Sequence, residues 1–482
     1  MDTELKQIVE NKTPKHTLVK YVVESDEYGE TFLIKGWIRE LRTQNPAFAK
    51  INDGSCHTSI QLVVPRENAD VYEHFIQFAN VGATIEAIGQ LVKSPKSGQK
   101  SELIAISCTI TGPVRTPEKY LPCAKNCPLD VLRRHQHVRP KFRTFGSVYR
   151  IRSKLSNIIH NFFQKNDFHH VDPNIVTTSD CEGAGEVFTI TTLLSQKRDK
   201  YNFSDDFFNK QAFLTVSSQL QLEALCSGLG RVYTTNPSFR AEKSKTFRHL
   251  ACFTHVEWEM AFIELSDLID FTEKFIKTCI SELLISAKED IDALDSFVSK
   301  GLVEKLSHLL GDYERVTYDT AVEIVRNNEP AIREIFSGQI DKTWQLPEWG
   351  DDLGSFCEKY LCDYVYKKPV FVYNFPKELK SFYMKPNADG KTCQSVDLLI
   401  PGLGELVGAS IRTDNYDILL EEIQKRGMSP ETLSWYLDLR SNATFPHGGA
   451  GLGFDRLLTV CTGLPNIRDV VPFPVAYEEC DY

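Results

Sequence analysis

Between Thr31 and about Pro113 the chain runs in short β-type segments in which apolar and polar residues alternate. They are Phe32 to Ile38, Ala47 to Ser55, Ser59 to Val64, Ala83 to Val92 and Ser101 to Ile110. Asn52-Asp53-Gly54 is a strong turn signal, and Gly36 and Gly89 stand inside runs where a small barrel bends its strands. The pattern predicts a five-stranded antiparallel barrel of the oligonucleotide-binding type over 31–113, after a short extension over 1–30. Residues 114–137 carry several prolines and little periodicity, and read as a hinge. From Arg150 a helical pattern continues through Leu155, Ile158, Ile159 and Phe162. Two strand-like runs, Arg231 to Arg240 and Phe253 to Phe262, predict a hairpin with a polar loop between Glu242 and His249. Spacings of three and four through Leu268, Phe271, Phe275, Cys279 and Leu283 predict an amphipathic helix over 266–286 with Ser266 as its cap. It opens a helical insertion around 265–345 within a second domain over 138–482, in which Asp290 to Trp349 reads as helix-forming throughout.

Composition narrows the classes. The chain has 482 residues, with 55 Lys and Arg against 65 Asp and Glu, a net charge of −10 that excludes a histone-like coat for nucleic acid. No apolar run approaches the ~20 residues of a membrane span, the first residues lack a signal-peptide core, and the expected location is the cytoplasm. Thirteen scattered cysteines suit reduced thiols. Against this acidic background, Arg133 to Lys154 holds eight Lys or Arg and no acid, either a stripe facing RNA or a solvated helix face. On the barrel, Trp37 and Phe48 interleave with Arg39, Arg42 and Lys50, as on a face that stacks unpaired bases beside phosphates, although both aromatics also suit a core.

Three segments carry candidate chemistry. The first is Phe239-Arg240-Ala241-Glu242, then Arg248-His249-Leu250, then Phe253 to Glu259: an arginine fork for an anion, more cationic groups on the loop and an aromatic plate for a flat ring. Glu257 and Glu259 alternate on one strand face and must be paired or hydrated if that face is buried. The second is His447 to Leu458, where Gly448, Gly449, Gly451 and Gly453 lead into an apolar helix carrying Arg456. Glycines before a helix let backbone approach a phosphate, yet neither G-x₄-G-K-[ST] nor G-x-G-x-x-G is present. In the third, Asp397 and Glu405 lie on two apolar runs joined by a Pro-Gly turn, which could bring two carboxylates to one magnesium ion. Each segment also has an ordinary reading, as exposed hairpin charges, a tight turn or surface ion pairs.

In their order along the chain, these segments resemble the signatures of class II aminoacyl-tRNA synthetases. Ser179 to Phe188, AFLTVSSQLQLEAL, FRAEKSKTFRHL, DLLIPGLGELVGAS, YLDLR, FPHGGAGLGFDRLL and NIRDVVPFP are most similar to the asparaginyl-tRNA synthetases of the aspartyl/asparaginyl/lysyl subgroup. The resemblance implies an α+β fold: an anticodon-binding barrel, then an antiparallel catalytic sheet flanked by helices. It also implies a homodimer with Pro173 in its dimer-forming motif, ATP and Mg2+ as cofactors, and L-asparagine and tRNA(Asn) as substrates. Residue by residue, it implies Arg240 and Arg456 as catalytic. The ATP site would comprise Arg240, Glu242, Arg248, His249, Leu250, Phe253, Glu405, Gly453 and Arg456. Phe253 would stack on adenine, and His249 and Arg456 would neutralise the terminal phosphates. Asp397 and Glu405 would hold the metal, and Glu182 and Gln219 the substrate ammonium. Glu257 and Arg412 would grip the side-chain amide, and Trp37, Arg39 and Phe48 would serve the anticodon. Cys252, Ser218, Ala409 and Val475 depart from the usual residues. The alternatives are an aspartyl-tRNA synthetase, which typically has a lysine shortly after the residue matching Gln219, and an amidating enzyme of the asparagine synthetase kind, which would not need the barrel.

Overall fold

The structure, a computed structural model, describes residues 14–124, 127–179, 181, 186–195, 202–340 and 343–482. The chain forms two compact units, Met1–Arg150 with Ala287–Val298, and Ile151–Ser286 with Ser299–Tyr482.

In the first unit, strands β1 (Thr31–Arg42), β2 (Ala47–Asn52), β3 (Ile60–Val64), β4 (Thr84–Lys93) and β5 (Ser101–Gly112) close a barrel in the order β1-β2-β3-β5-β4. Its core is the inward set of the alternation, among them Ile34, Ile38, Ile51, Leu62, Leu91 and Leu103. At the tight bends glycine is required: a Cβ at Gly36 would lie 2.8 Å from the Asn52 carbonyl oxygen, and one at Gly89 would lie 2.9 Å from that of Ile104. The barrel is not wholly antiparallel, because β3 and β5 run parallel. Parity demands this, since a closed ring with an odd number of strands cannot alternate direction all the way round. The helix Ala69–Phe78 lies between β3 and β4 in the chain and adds Phe75 to the barrel core.

The stretch over 114–137, read as a hinge, contains the helix Leu129–Arg133, and its Leu132 packs with Val138 and Phe145 in a small core. The basic run beside it is largely engaged within the protein. Arg143 pairs with Glu40 at 2.7 Å, Arg150 with Asp290 at 2.7 Å and Arg152 with Asp455 at 2.5 Å, while Arg139 is buried over the Phe145 ring. These arginines are therefore structural cations and not a free stripe.

The second unit is built on an eight-stranded sheet. Its strands are β6 (His169–His170), β10 (Arg231–Phe239), β11 (Cys252–Ala261), β12 (Glu314–Thr317), β13 (Val370–Tyr373), β14 (Ser395–Ile400), β15 (Gly404–Ile411) and β16 (His447–Gly453). The order is β12-β13-β14-β15-β16-β11-β10-β6, and a separate small sheet pairs β7 (Val176–Thr177), β9 (Ala212–Leu214) and β8 (Thr189–Ile190). The six central strands are antiparallel, whereas the edge pairs β12–β13 and β10–β6 are parallel, so the sheet is mixed. Strand β12 also interrupts the stretch read as helical throughout; it is only four residues long and too short for alternation to declare it.

Behind the sheet, the helices Arg143–Lys165 and Leu265–Ser286 bury an aromatic layer. Phe163 stacks on Tyr233 at 4.5 Å and lies 5.7 Å from Trp258, and Phe162 lies 5.0 Å from Phe275. The second helix begins before Ser266: Asp267 accepts the Glu264 backbone N–H at 2.9 Å and serves its first turn. Trp258 points into this layer, so the alternation of β11 turns Glu257 and Glu259 to the opposite face.

Candidate active site

The hairpin β10–β11, in register from Arg231 opposite Met260 to Phe239 opposite Cys252, holds Arg240 and Phe253 at its open end. Strands β15 and β16 and the helix Phe454–Thr462 complete a cavity of about 240 Å³. All nine residues expected around ATP line it: Arg240, Glu242, Arg248, His249, Leu250, Phe253, Glu405, Gly453 and Arg456. The Arg240 guanidinium lies 5.6 Å from the centre of the Phe253 ring. Arg248 Nη1 donates to the Leu403 carbonyl at 2.5 Å, and Arg456 Nη1 donates to the Glu405 carbonyl at 3.2 Å and lies 3.4 Å from its carboxylate. The backbone thus aims three guanidinium groups at one space, an arrangement suited to a polyphosphate. His249 stands among them, and its pKa is lowered, first by burial and then by Arg456. Among these cations its imidazole takes up a proton less readily than an ordinary histidine.

The glycine cluster is not a loop before a helix. It is strand β16 itself, between β11 and β15. A Cβ at Gly451 would lie 2.5 Å from His255 Nε2, and one at Gly449 would lie 1.9 Å from Glu259 Oε2. The missing side chains make room for neighbouring polar groups over the sheet. His255 also lines the cavity, and its pKa is lowered by burial in spite of Glu257 3.4 Å away.

In the β14–β15 hairpin Asp397 pairs with Gly408 and Glu405 with Leu399, and both carboxylates lean over Gly408, where a Cβ would lie 3.4 Å from Glu405 Oε1 and 3.8 Å from Asp397 Oδ1. Burial, opposed by Lys380 at 2.5 Å, pushes the Asp397 carboxyl up to about 6. The Glu405 side chain is 43% exposed; desolvation opposes its ionisation, yet Arg456 and then Lys380 hold its pKa below the ordinary value. A third carboxylate, Glu358, accepts the Glu405 backbone N–H at 3.3 Å and is pushed up to about 7 by burial and by Glu405. No short motif contains Glu358, which is why sequence reading missed it. Asp397, Glu405 and Glu358 are hard oxygen donors of the kind that a divalent cation such as Mg2+ takes.

The remaining site residues gather beneath this cavity. Glu257 accepts from the Ser217 hydroxyl and from the Ser218 backbone N–H at 3.0 Å, next to Gln219. Arg412 does not meet Glu257. Its guanidinium donates to Glu259 through Nε and Nη2, both at 3.0 Å, to Gln219 Oε1 at 2.7 Å and to Ser410 Oγ. Four of its five N–H groups are engaged, and the fifth, on Nη1, has no partner among the described residues. Glu257 and Glu259 are both buried and both paired, as their shared strand face requires. Glu182 lies outside the described residues.

On the barrel, Phe48 is half-buried and lines a cavity of about 250 Å³ with Arg42, Lys50 and Lys96. Trp37 and Arg39 are not part of that lining: Arg39 lies over Trp37 at 5.7 Å and donates to the Lys141 carbonyl. No described helix is long and apolar enough to cross a membrane.

Residues 129–476 match the family profile of class II tRNA synthetases (D, K and N). The asparagine--tRNA ligase of Treponema denticola is 43% identical over 476 residues, covering 95% of this chain and 98% of its own. That of Oleidesulfovibrio alaskensis is 43% identical over 448 residues, covering 92% and 94%. Among solved structures, asparaginyl-tRNA synthetase from Pyrococcus horikoshii complexed with asparaginyl-adenylate superposes with a TM-score of 0.81 at 28% identity, over 95% of this chain and 98% of that one. The Entamoeba histolytica enzyme in complex with asparaginyl-adenylate gives 0.80 at 25% identity, over 98% and 100%.

Proposed function

The chain belongs to the class II tRNA synthetases of the D, K and N group, and from that premise we infer that it ligates L-asparagine to tRNA with ATP. The reaction has two steps. The asparagine carboxylate attacks the α-phosphorus of ATP, releasing pyrophosphate and leaving asparaginyl-adenylate. A hydroxyl of the terminal tRNA ribose then takes the acyl group and releases AMP. Neither step needs a protein nucleophile, so positioning and charge stabilisation carry the catalysis.

The observation that carries this reading is the cavity lined by all nine expected residues, linked through His255 and Glu257 to the pocket of Gln219 and Arg412. Arg240 contacts the α-phosphate, where charge grows in the transition state, while Phe253 holds the adenine. His249 and Arg456, with Arg248 beside them, take the terminal phosphates. Asp397 and Glu405 would hold Mg2+, which when bound shields the phosphate charge. Gln219, with Glu182, receives the ammonium group. Arg412 offers its remaining N–H to the side-chain oxygen of asparagine, and Glu257 accepts from the side-chain nitrogen. The barrel binds a GUU anticodon at its Phe48 face, and the enzyme works in the cytoplasm as a homodimer through the segment containing Pro173. An aspartyl enzyme is disfavoured because Gln219-Leu220-Gln221-Leu222-Glu223 offers no lysine, and an amidating enzyme because it has no use for the barrel.

The test is ATP–pyrophosphate exchange by the purified protein with asparagine or aspartate, followed by charging of tRNA(Asn). Exchange that depends on asparagine, with charging of that tRNA alone, is the expected result. Exchange driven equally by aspartate overturns the choice of amino acid.

A further inference from the structure

Behind Gln219 and Arg412 lies a buried polar cluster whose further members, Glu223, Tyr436, Arg440 and His447, have no part in the reaction just described. Glu223 stands one turn after Gln219 on the helix Gln219–Leu229, so both side chains share a face. Glu223 Oε1 accepts from Gln219 Nε2 at 3.0 Å and lies 3.9 Å from Arg412 Nε. Its other oxygen accepts from Tyr436 Oη at 2.8 Å and from Arg440 Nη2, and lies 3.1 Å from His447 Nε2. The side chains of Glu223 and Glu259 are 0% exposed, and those of Arg412 and Arg440 are 2% and 1% exposed.

The cluster therefore holds two fixed guanidinium charges and two carboxylates. Burial opposes ionisation of Glu223, but Arg440 and His447 hold its pKa below the ordinary carboxylate range. Burial lifts that of Glu259, while Arg412 pulls it back, and each hydrogen bond Glu259 makes here is one it accepts. Glu223, Glu259 and His447 bring three ligand atoms within 4.8 Å of one another, yet both arginines already occupy the carboxylates and leave a cation no role.

We infer that Glu223 is a specificity-determining residue: its charge completes the neutralisation of Arg412 and Arg440, so the pocket accepts an uncharged amide side chain and rejects a carboxylate. This rests on the reading of the pocket as the asparagine site. An arginine facing a substrate would ordinarily favour aspartate, because its fork matches a carboxylate. Here that fork is already bound by Glu259, and the second arginine behind it is cancelled by Glu223. An entering aspartate would add a negative charge to a buried cluster whose sum is zero, and asparagine adds none.

The experiment compares asparagine with aspartate in ATP–pyrophosphate exchange, for the parent, Glu223→Gln, Arg440→Gln and the double variant. Glu223→Gln leaves the cluster with a net positive charge. The ratio of kcat/KM for asparagine to that for aspartate should fall roughly tenfold or more, about 1.4 kcal/mol, with aspartate rising in absolute terms. Arg440→Gln should shift the ratio the other way, and the double variant should return it to within about threefold of the parent. A merely structural role would lower both amino acids together and leave the double variant worst. A ratio within about twofold of the parent in folded Glu223→Gln overturns the proposal, and if that variant does not fold, an unchanged ratio in Arg440→Gln does so. A parent without asparagine-dependent exchange removes the asparagine reading itself, and a parent with it but an unmoved ratio removes only the role of Glu223.

Discussion

A methyl group at Gly449 would sit 1.9 Å from Glu259 Oε2 and 2.2 Å from the Trp258 carbonyl oxygen, so neither neighbour could stay where it is. Gly449→Ala is therefore expected to cost roughly 1–3 kcal/mol of stability and to displace the carboxylate that binds Arg412. Urea unfolding and asparagine-dependent exchange should both register the change, and a variant with parental values in both would show that β16 can yield. His255 makes a second prediction at this scale. Its pKa is lowered by burial from an ordinary 6.5, so the folded state binds this proton less readily than the unfolded one. The associated stability is present above pH 6.5 and is lost as pH falls below it. His255→Asn should flatten the loss of unfolding free energy between pH 7.5 and pH 5.5, and an unaltered slope would remove His255 as its source.

Elements differed in how plainly the sequence declared them. The β10–β11 hairpin and the helix Leu265–Ser286 are long and periodic, and their outlines follow from alternation and from three-four spacing. Strand β16 hides because glycine carries no pattern: its residues are small in deference to side chains on the strands beside it, which local reading cannot see. The same limit applies to the site. Arg240, Arg456 and Glu405 stand in recognisable segments, whereas Glu358 reaches Glu405 from a helix 47 residues earlier in the chain and belongs to no motif. The pairing of Arg412 with Glu259, and not with Glu257, depends on strand register and on the helix carrying Gln219. For the barrel, Phe48 lies on β2 opposite Arg42 of β1, at a cavity mouth with Lys50 and Lys96. Phe48→Ala should weaken tRNA charging by about 1–3 kcal/mol in kcat/KM and leave exchange without tRNA nearly unchanged. Equal losses in both assays would mark Phe48 as a core residue.

Over the whole molecule the charge is −10, while tRNA is a polyanion. Binding must then rest on local cation clusters and not on bulk attraction, and many cations of the Arg133 to Lys154 run are already engaged within the protein. Raising salt from about 50 to 200 mM should increase the KM for tRNA steeply and that for asparagine little, because only the first interaction releases many counterions. Parallel changes in both constants would place the salt effect on the fold. The fold as a whole was legible where a repeating pattern spans a unit. It was not legible where chain order and spatial order part, as at β12, at the parallel closure of the barrel and at Ala287–Val298.

That last segment has a consequence for biosynthesis. Glu289 accepts the Thr58 backbone N–H at 2.7 Å and Asp290 pairs with Arg150 at 2.7 Å, both within the first unit. A ribosome that has finished β5 at Gly112 must still add 178 residues to reach Asp290 before these partners exist. At typical elongation rates that is a wait of roughly 10–40 s. During it Thr58 and, once it is made, Arg150 lack their carboxylate partners, and most of the catalytic sheet has not been made. Maturation of the two units is thereby interleaved in time: the one begun first is completed only while the second is being translated.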